Sequence, residues 1–91
     1  MKQQCIRYFI AGKVQGVWYR ANAQKQAQQL GITGWVRNQD DGRVEVLACG
    51  TNEQLDQLRT WLWQGPERAR VNAVTAVEAA YQEHSDFQIL A

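Results

Sequence analysis

Histidine and cysteine are nearly missing from this chain, which has one histidine, His84, and two cysteines, Cys5 and Cys49. That scarcity excludes a zinc framework, because a closed structural site draws on about four closely spaced nitrogen or sulfur ligands. No metal and no other cofactor is expected. An excess of either charge is also lacking: ten basic residues against nine acidic ones leave a formal charge of +1. No broad field marks the surface for nucleic acid or an anionic membrane, so any anion site has to be local. No apolar run approaches the roughly 18 residues of a membrane span, and the N-terminus lacks the charged-then-apolar plan of a secretory signal. The cytoplasm is the expected compartment. What remains is a 91-residue chain with 45% hydrophobic residues, read as a single domain over 1–91 with one ordinary core, and as a monomer.

Within that frame the stretch Gly12-Lys13-Val14-Gln15-Gly16-Val17-Trp18-Tyr19-Arg20 stands out. Two glycines bracket it, and both can adopt left-handed backbone angles that turn successive N–H groups toward one point. Arg20 adds a permanent positive charge. A helix starting near Arg20 would add the unsatisfied N–H groups and the dipole of its first turn. The stretch reads as an anion cradle.

The rest of the chain supplies a frame. Cys5 to Ala11 is rich in β-formers, with Ile6, Tyr8 and Ile10 on one face and Cys5, Arg7 and Phe9 on the other. Ala23, Ala27 and Leu30 recur at helical spacing, and Gly31 follows as a C-cap. Gly34 to Asn38 and Arg43 to Ala48 read as two strands joined by an Asp41-Gly42 turn. Thr51 to Gln54 matches a capping box ahead of Leu55, Leu58 and Leu62, and this second helix ends at Gly65-Pro66. Val71 to Ala79 is a further strand, and Phe87 to Leu90 a short terminal one. Trp18, Trp35, Trp61 and Trp63 read mostly as core or part-core bodies.

The order β-α-β-β-α-β predicts an α+β, ferredoxin-like split βαβ sandwich: an antiparallel sheet with two helices on one face. The first two strands, joined through a helix, run parallel and end on one edge of the sheet, where the first helix begins. The third strand lies between them. Asn38 is therefore expected about 10 Å from the end of the first strand, two strand spacings away. That gap suits a phosphate-sized ligand between the Gly12 to Arg20 loop and Asn38.

The chemistry open to such a site is narrow. No serine, cysteine or histidine lies in the loop, and Asp40 and Asp41 read as turn residues. Hydrolysis of an ordinary phosphate monoester needs rate enhancements of up to roughly 10²¹-fold and usually calls on metals or nucleophiles. An acyl phosphate is easier, because a carboxylate leaves without a general acid. Positioning and charge stabilisation by amides and a guanidinium are then enough.

Gly12 to Arg20 closely resembles the first signature of acylphosphatases. Gly34-Trp35-Val36-Arg37-Asn38, followed by Asp41-Gly42-Arg43-Val44-Glu45, resembles the second. The resemblance extends over the whole chain, including Phe87-Gln88-Ile89, and departs from common members at Gln39-Asp40 and at Leu90-Ala91. It implies that Arg20 binds the substrate phosphoryl group and that Asn38 orients the attacking water. It also implies that the backbone amides of Lys13, Val14, Gln15, Gly16 and Val17 form the phosphate loop, with Gly12 shaping it. The implied reaction is metal-independent hydrolysis of small acyl phosphates to a carboxylate and inorganic phosphate, with no covalent intermediate.

Two other readings have a foothold. Ferredoxin-like sheets also bind RNA through aromatics on the open face, where Phe9 would lie, although the chain has no basic-glycine-aromatic signature. A catalytically retired domain that senses acyl phosphates is the second. Separately, Cys5 and Cys49 fall on neighbouring antiparallel strands, on the face away from the helices. A disulfide between them is geometrically open and would be worth about 4 kcal/mol in the chain-entropy model. A reducing cytosol argues against it in the cell.

Overall fold

A computed structural model describes residues 2–91. Its elements run β1 (Gln4–Lys13), α1 (Tyr19–Leu30), β2 (Thr33–Asn38), β3 (Val44–Gly50), α2 (Asn52–Gln64), β4 (Arg70–Ala79) and β5 (Phe87–Ile89). The sheet order is β4-β1-β3-β2-β5. β3 lies at the centre, antiparallel to both β1 and β2. All seven of its residues are buried, as expected of a strand covered on both faces.

Local chemistry explains where the helices stop and start. α1 ends on Gly31 at φ 76°. Gly31 N–H donates to Gln28 O at 3.2 Å and Ile32 N–H to Ala27 O at 2.9 Å, the paired bonds of a Schellman ending. α2 opens with the predicted capping box: Gln54 N–H donates to Thr51 Oγ1 at 3.3 Å, and Thr51 N–H to Gln54 Oε1 at 2.8 Å. α1 turns Ala23 and Ala27 inward, and α2 turns Leu55, Leu58 and Leu62 inward. They meet Tyr8, Ile10, Val36, Val44 and Val46 from the sheet in one core.

The ferredoxin-like sandwich holds, with one difference at its edge. β5 pairs parallel to β2, so the sheet is mixed rather than wholly antiparallel. β4 runs opposite to β1 and β2, and the chain turns back after it, so β5 arrives beside β2 running in the direction of β2. It leaves the β4 side through residues 80–86, docks Phe87 in the core and serves the outer polar groups of β2. Gly34 N–H donates to Asp86 O and Leu90 N–H to Val36 O, both at 2.9 Å.

The face away from the helices carries a second, smaller cluster of Cys5, Leu47 and Cys49, with Trp35 and Ala79 against it. Cys5 stands opposite Cys49 in the β1–β3 ladder, and the two are joined as a disulfide. The tryptophans divide. Trp35 and Trp61 are half-buried, whereas Trp18 and Trp63 are exposed. The expectation that most of them are core or part-core bodies holds for Trp35 and Trp61 only. Trp63 follows buried Leu62 on the outer side of α2, and Trp18 lies between buried Val17 of the loop and buried Tyr19, the first residue of α1.

Candidate active site

The segment joining β1 to α1 alternates between inward and outward residues. Val14, Val17 and Tyr19 are buried, while Gly16 and Trp18 face solvent. Each fully buried apolar side chain contributes about 1.5–3 kcal/mol, so three of them in so short a span fasten the loop to the core. Among the described residues the N–H groups of Gln15, Gly16 and Val17 donate to no backbone carbonyl. The loop is fixed by its side chains, and these amides are left without backbone partners.

Gly16 has φ 74°, and a β-carbon there would meet nothing within 4 Å. Its backbone angle, not crowding, calls for glycine, and the concave side stays open. Gly12 is different. It belongs to β1, at a break in the β1–β4 register, where φ is 131° and a β-carbon would overlap the carbonyl oxygen of Arg70. Its glycine serves the close passage of two strands. Lys13 is the last residue of β1, exposed and opposite Arg70. Gly12 and Lys13 thus lead into the loop rather than form part of it.

Arg20 is the second residue of α1 and is half-buried. The residue before it is anchored: Tyr19 OH donates to Leu62 O at 2.6 Å, and its ring lies 5.3 Å from that of Trp61. Burial pushes the Tyr19 phenol well above its ordinary range. No acidic residue occupies the first turn of α1, and among the described residues no carboxylate lies within ion-pair distance of Arg20. The positive end of the helix and the guanidinium act together without a counter-charge.

Asn38 ends β2 opposite Val44. Val36, two residues earlier, is buried in the core, so strand alternation gives Asn38 the helix-side face and Arg37 the open one. Its Oδ1 is shielded from solvent and has no hydrogen-bond partner among the described residues. Gly16, Arg20 and Asn38 line one cleft of about 410 Å³. The remaining wall is apolar and is made by Val14, Trp18, Tyr19, Ala21 and Ile89.

The side chain of Gln15 is a feature that the sequence did not disclose. Its Nε2 donates to Gln39 O at 2.8 Å and to Arg43 O at 2.9 Å, tying the loop to both arms of the β2–β3 hairpin beside Asn38. A lone loop glutamine carries no such signal until the hairpin is known to lie against it. The exposure of Trp18 was equally hidden, because its helical neighbours suggest a packed aromatic.

No serine, cysteine, histidine or carboxylate lines the cleft. Such a site can hold a tetrahedral oxyanion and position a water, but it has no group of its own to serve as nucleophile or strong acid. A small ferredoxin-like domain built around an oxyanion cleft is the class defined by sheet order and site. A sequence profile described as Acylphosphatase matches residues 6–89. An acylphosphatase of Legionella pneumophila strain Corby is 48% identical over 89 residues, covering 98% of each chain. Among solved structures, an acylphosphatase from Coxiella burnetii superposes with a TM-score of 0.93 at 41% identity, covering 97% of this chain and 93% of that one. The crystal structure of acylphosphatase from Bacillus subtilis gives 0.94 at 32% identity, covering 99% and 100%. The chain belongs to the acylphosphatase family, a family of enzymes that hydrolyse acyl phosphates.

Proposed function

We propose that the cleft hydrolyses small acyl phosphates by direct attack of a positioned water on phosphorus. Arg20 and the backbone amides from Lys13, the last residue of β1, through Val14, Gln15 and Gly16 to Val17 hold the phosphoryl oxygens. Gly12 sets the entry of the loop, and Asn38 accepts a hydrogen bond from the attacking water. The observation that carries this reading is the pairing of an arginine without a carboxylate and an amide oxygen without a partner on one cleft. One P–O bond forms from water as the bridging P–O bond breaks. The bonding electrons leave with the carboxylate, and the water protons pass to phosphate and solvent. A stable leaving group removes the need for a general acid, and preorganised donors supply the charge stabilisation.

The enzyme acts without a metal or other cofactor, because a carboxylate departs without a Lewis acid or a general acid. Residues 1–91 work as one domain and as a monomer, with no nucleic-acid or membrane partner, consistent with a formal charge of +1. The cytoplasm is the proposed site of action. No helix is long and apolar enough to cross a membrane. In that reducing compartment Cys5 and Cys49 would stand as two buried thiols on the face away from the cleft.

Hydrolysis of benzoyl phosphate in ¹⁸O-water with chelator present tests the mechanism. The label should enter inorganic phosphate alone. Label in benzoate, or activity abolished by chelator, would overturn it. Asn38→Ala should lower kcat by about 10²–10³-fold with KM held, because the lost group orients water rather than substrate.

A further inference from the structure

Phosphoryl binding uses only part of the cleft. Arg20, Gly16 and Asn38 gather the polar groups, whereas Trp18 on the loop side and Ile89 on the strand side extend the wall outward. Both are exposed, Trp18 by 77% and Ile89 by 39%. Their positions bracket the reacting centre. Trp18 falls between Gly16 and Arg20 in the chain, and Ile89 pairs with Val36, two residues before Asn38.

Trp18 is unusual in two ways that share one explanation. Its φ of 66° makes it the one non-glycine residue with a left-handed backbone among those described, a strained state for a bulky side chain. The strain is locked in place. Trp18 O accepts from Asn22 N–H at 3.1 Å and from Asn22 Nδ2 at 2.8 Å. Among the described residues its indole takes part in no aromatic pair and no cation stack. The chain therefore holds a large apolar ring in water, at a strained position, over the mouth of a cleft far roomier than a phosphoryl group requires.

We propose that Trp18 and Ile89 form an acyl-group subsite, which makes the preferred substrates acyl phosphates with an aromatic or bulky apolar acyl group rather than acetyl phosphate. The inference rests on the reading of the cleft as an acyl phosphate hydrolase. A phosphoryl group held at Gly16 and Arg20 directs its acyl end toward the open side, where the flat indole face and the isoleucine side chain shield it from water. Aromatic contact and apolar burial then favour the larger acyl group.

The test compares kcat/KM for benzoyl and acetyl phosphate in the wild type, Trp18→Gly, Trp18→Phe and Ile89→Ser. Trp18→Gly keeps the left-handed turn without strain and removes the ring. The benzoyl-to-acetyl ratio should fall on the order of tenfold in Trp18→Gly, fall less in Ile89→Ser, and be largely restored in Trp18→Phe. Inhibition by phenacylphosphonate relative to acetonylphosphonate, in which a methylene replaces the scissile oxygen, should change in parallel. Active variants with the wild-type ratio would overturn the subsite and leave the proposed function standing. Absence of hydrolysis of either substrate by the wild type would overturn the proposed function and the subsite with it.

Discussion

Arg20 and Arg37 carry the same guanidinium, and their neighbours give them opposite fates. Arg37 lies on the open face of the sheet, where its Nε is 2.7 Å from Glu45 Oε1 and its guanidinium stacks 5.1 Å from the Trp35 ring. Glu45, only 3% exposed, is also 3.3 Å from Arg7 Nε and accepts from Gln39 Nε2 at 3.3 Å. Charge there is spent internally. Arg20 has no carboxylate within reach among the described residues, and it shares its cleft with an unpartnered amide oxygen. A cation becomes available to a ligand where the fold keeps acids away, so the open face should carry stability and the cleft activity.

The largest effect expected on the open face is that of the disulfide, which bridges a sequence separation of 44. Reduction, or Cys5→Ser with Cys49→Ser, should lower unfolding free energy by roughly 2–4 kcal/mol, as read by urea titration, without a comparable loss of kcat. A large loss of kcat in folded, reduced protein would break the division. Glu45→Gln comes next. It removes the shared counter-charge of Arg7 and Arg37, which remain half in water and can rehydrate. The expected cost is about 1–3 kcal/mol of stability.

Gln15→Ala probes the boundary between the two regions, because its side chain ties the loop between β1 and α1 to the hairpin. Loss of these two bonds should loosen the loop against Asn38 and reduce kcat/KM about tenfold, with Gln15→Glu a poorer rescue than Gln15→Asn. An unchanged rate would show that the loop is held by its buried valines alone. The smallest effect near neutrality is that of pH. Burial raises the Tyr8 and Tyr19 phenols above the ordinary value of 10.0. The stability linked to them is therefore complete below about pH 10 and is lost as pH rises through the raised folded values. Urea midpoints should stay level from neutral pH to about 9 and fall beyond 10; a rise there would contradict the burial of both rings.

Much of the frame was legible because it rests on local rules. Thr51 to Gln54 announced a helix start, Gly31 a helix end, and the alternation along β1 its two faces. Topology alone places Arg20 and Asn38 on one edge of the sheet, since strands joined through a helix finish there. Features that depend on distant partners were not legible. The parallel run of β5 follows from the reversal of the chain after β4 and its passage to the far edge beside β2, and the glycine at position 12 answers to a carbonyl of β4. Gln15 looks like any loop glutamine until the hairpin meets it. The left-handed Trp18 breaks a residue preference that sequence reasoning has to assume, and strain of that kind collects at functional sites.

The central claim, that an unpaired arginine makes this cleft a phosphoryl site, is tested most directly by kcat/KM for benzoyl phosphate in Arg20→Ala and Arg37→Ala measured side by side. Circular dichroism should show both variants folded. Arg20→Ala should lose about 10²–10³-fold, the loss of about 3–4 kcal/mol of transition-state stabilisation, and Arg37→Ala should retain nearly all activity. Equal losses in the two variants, or none in Arg20→Ala, would contradict the account.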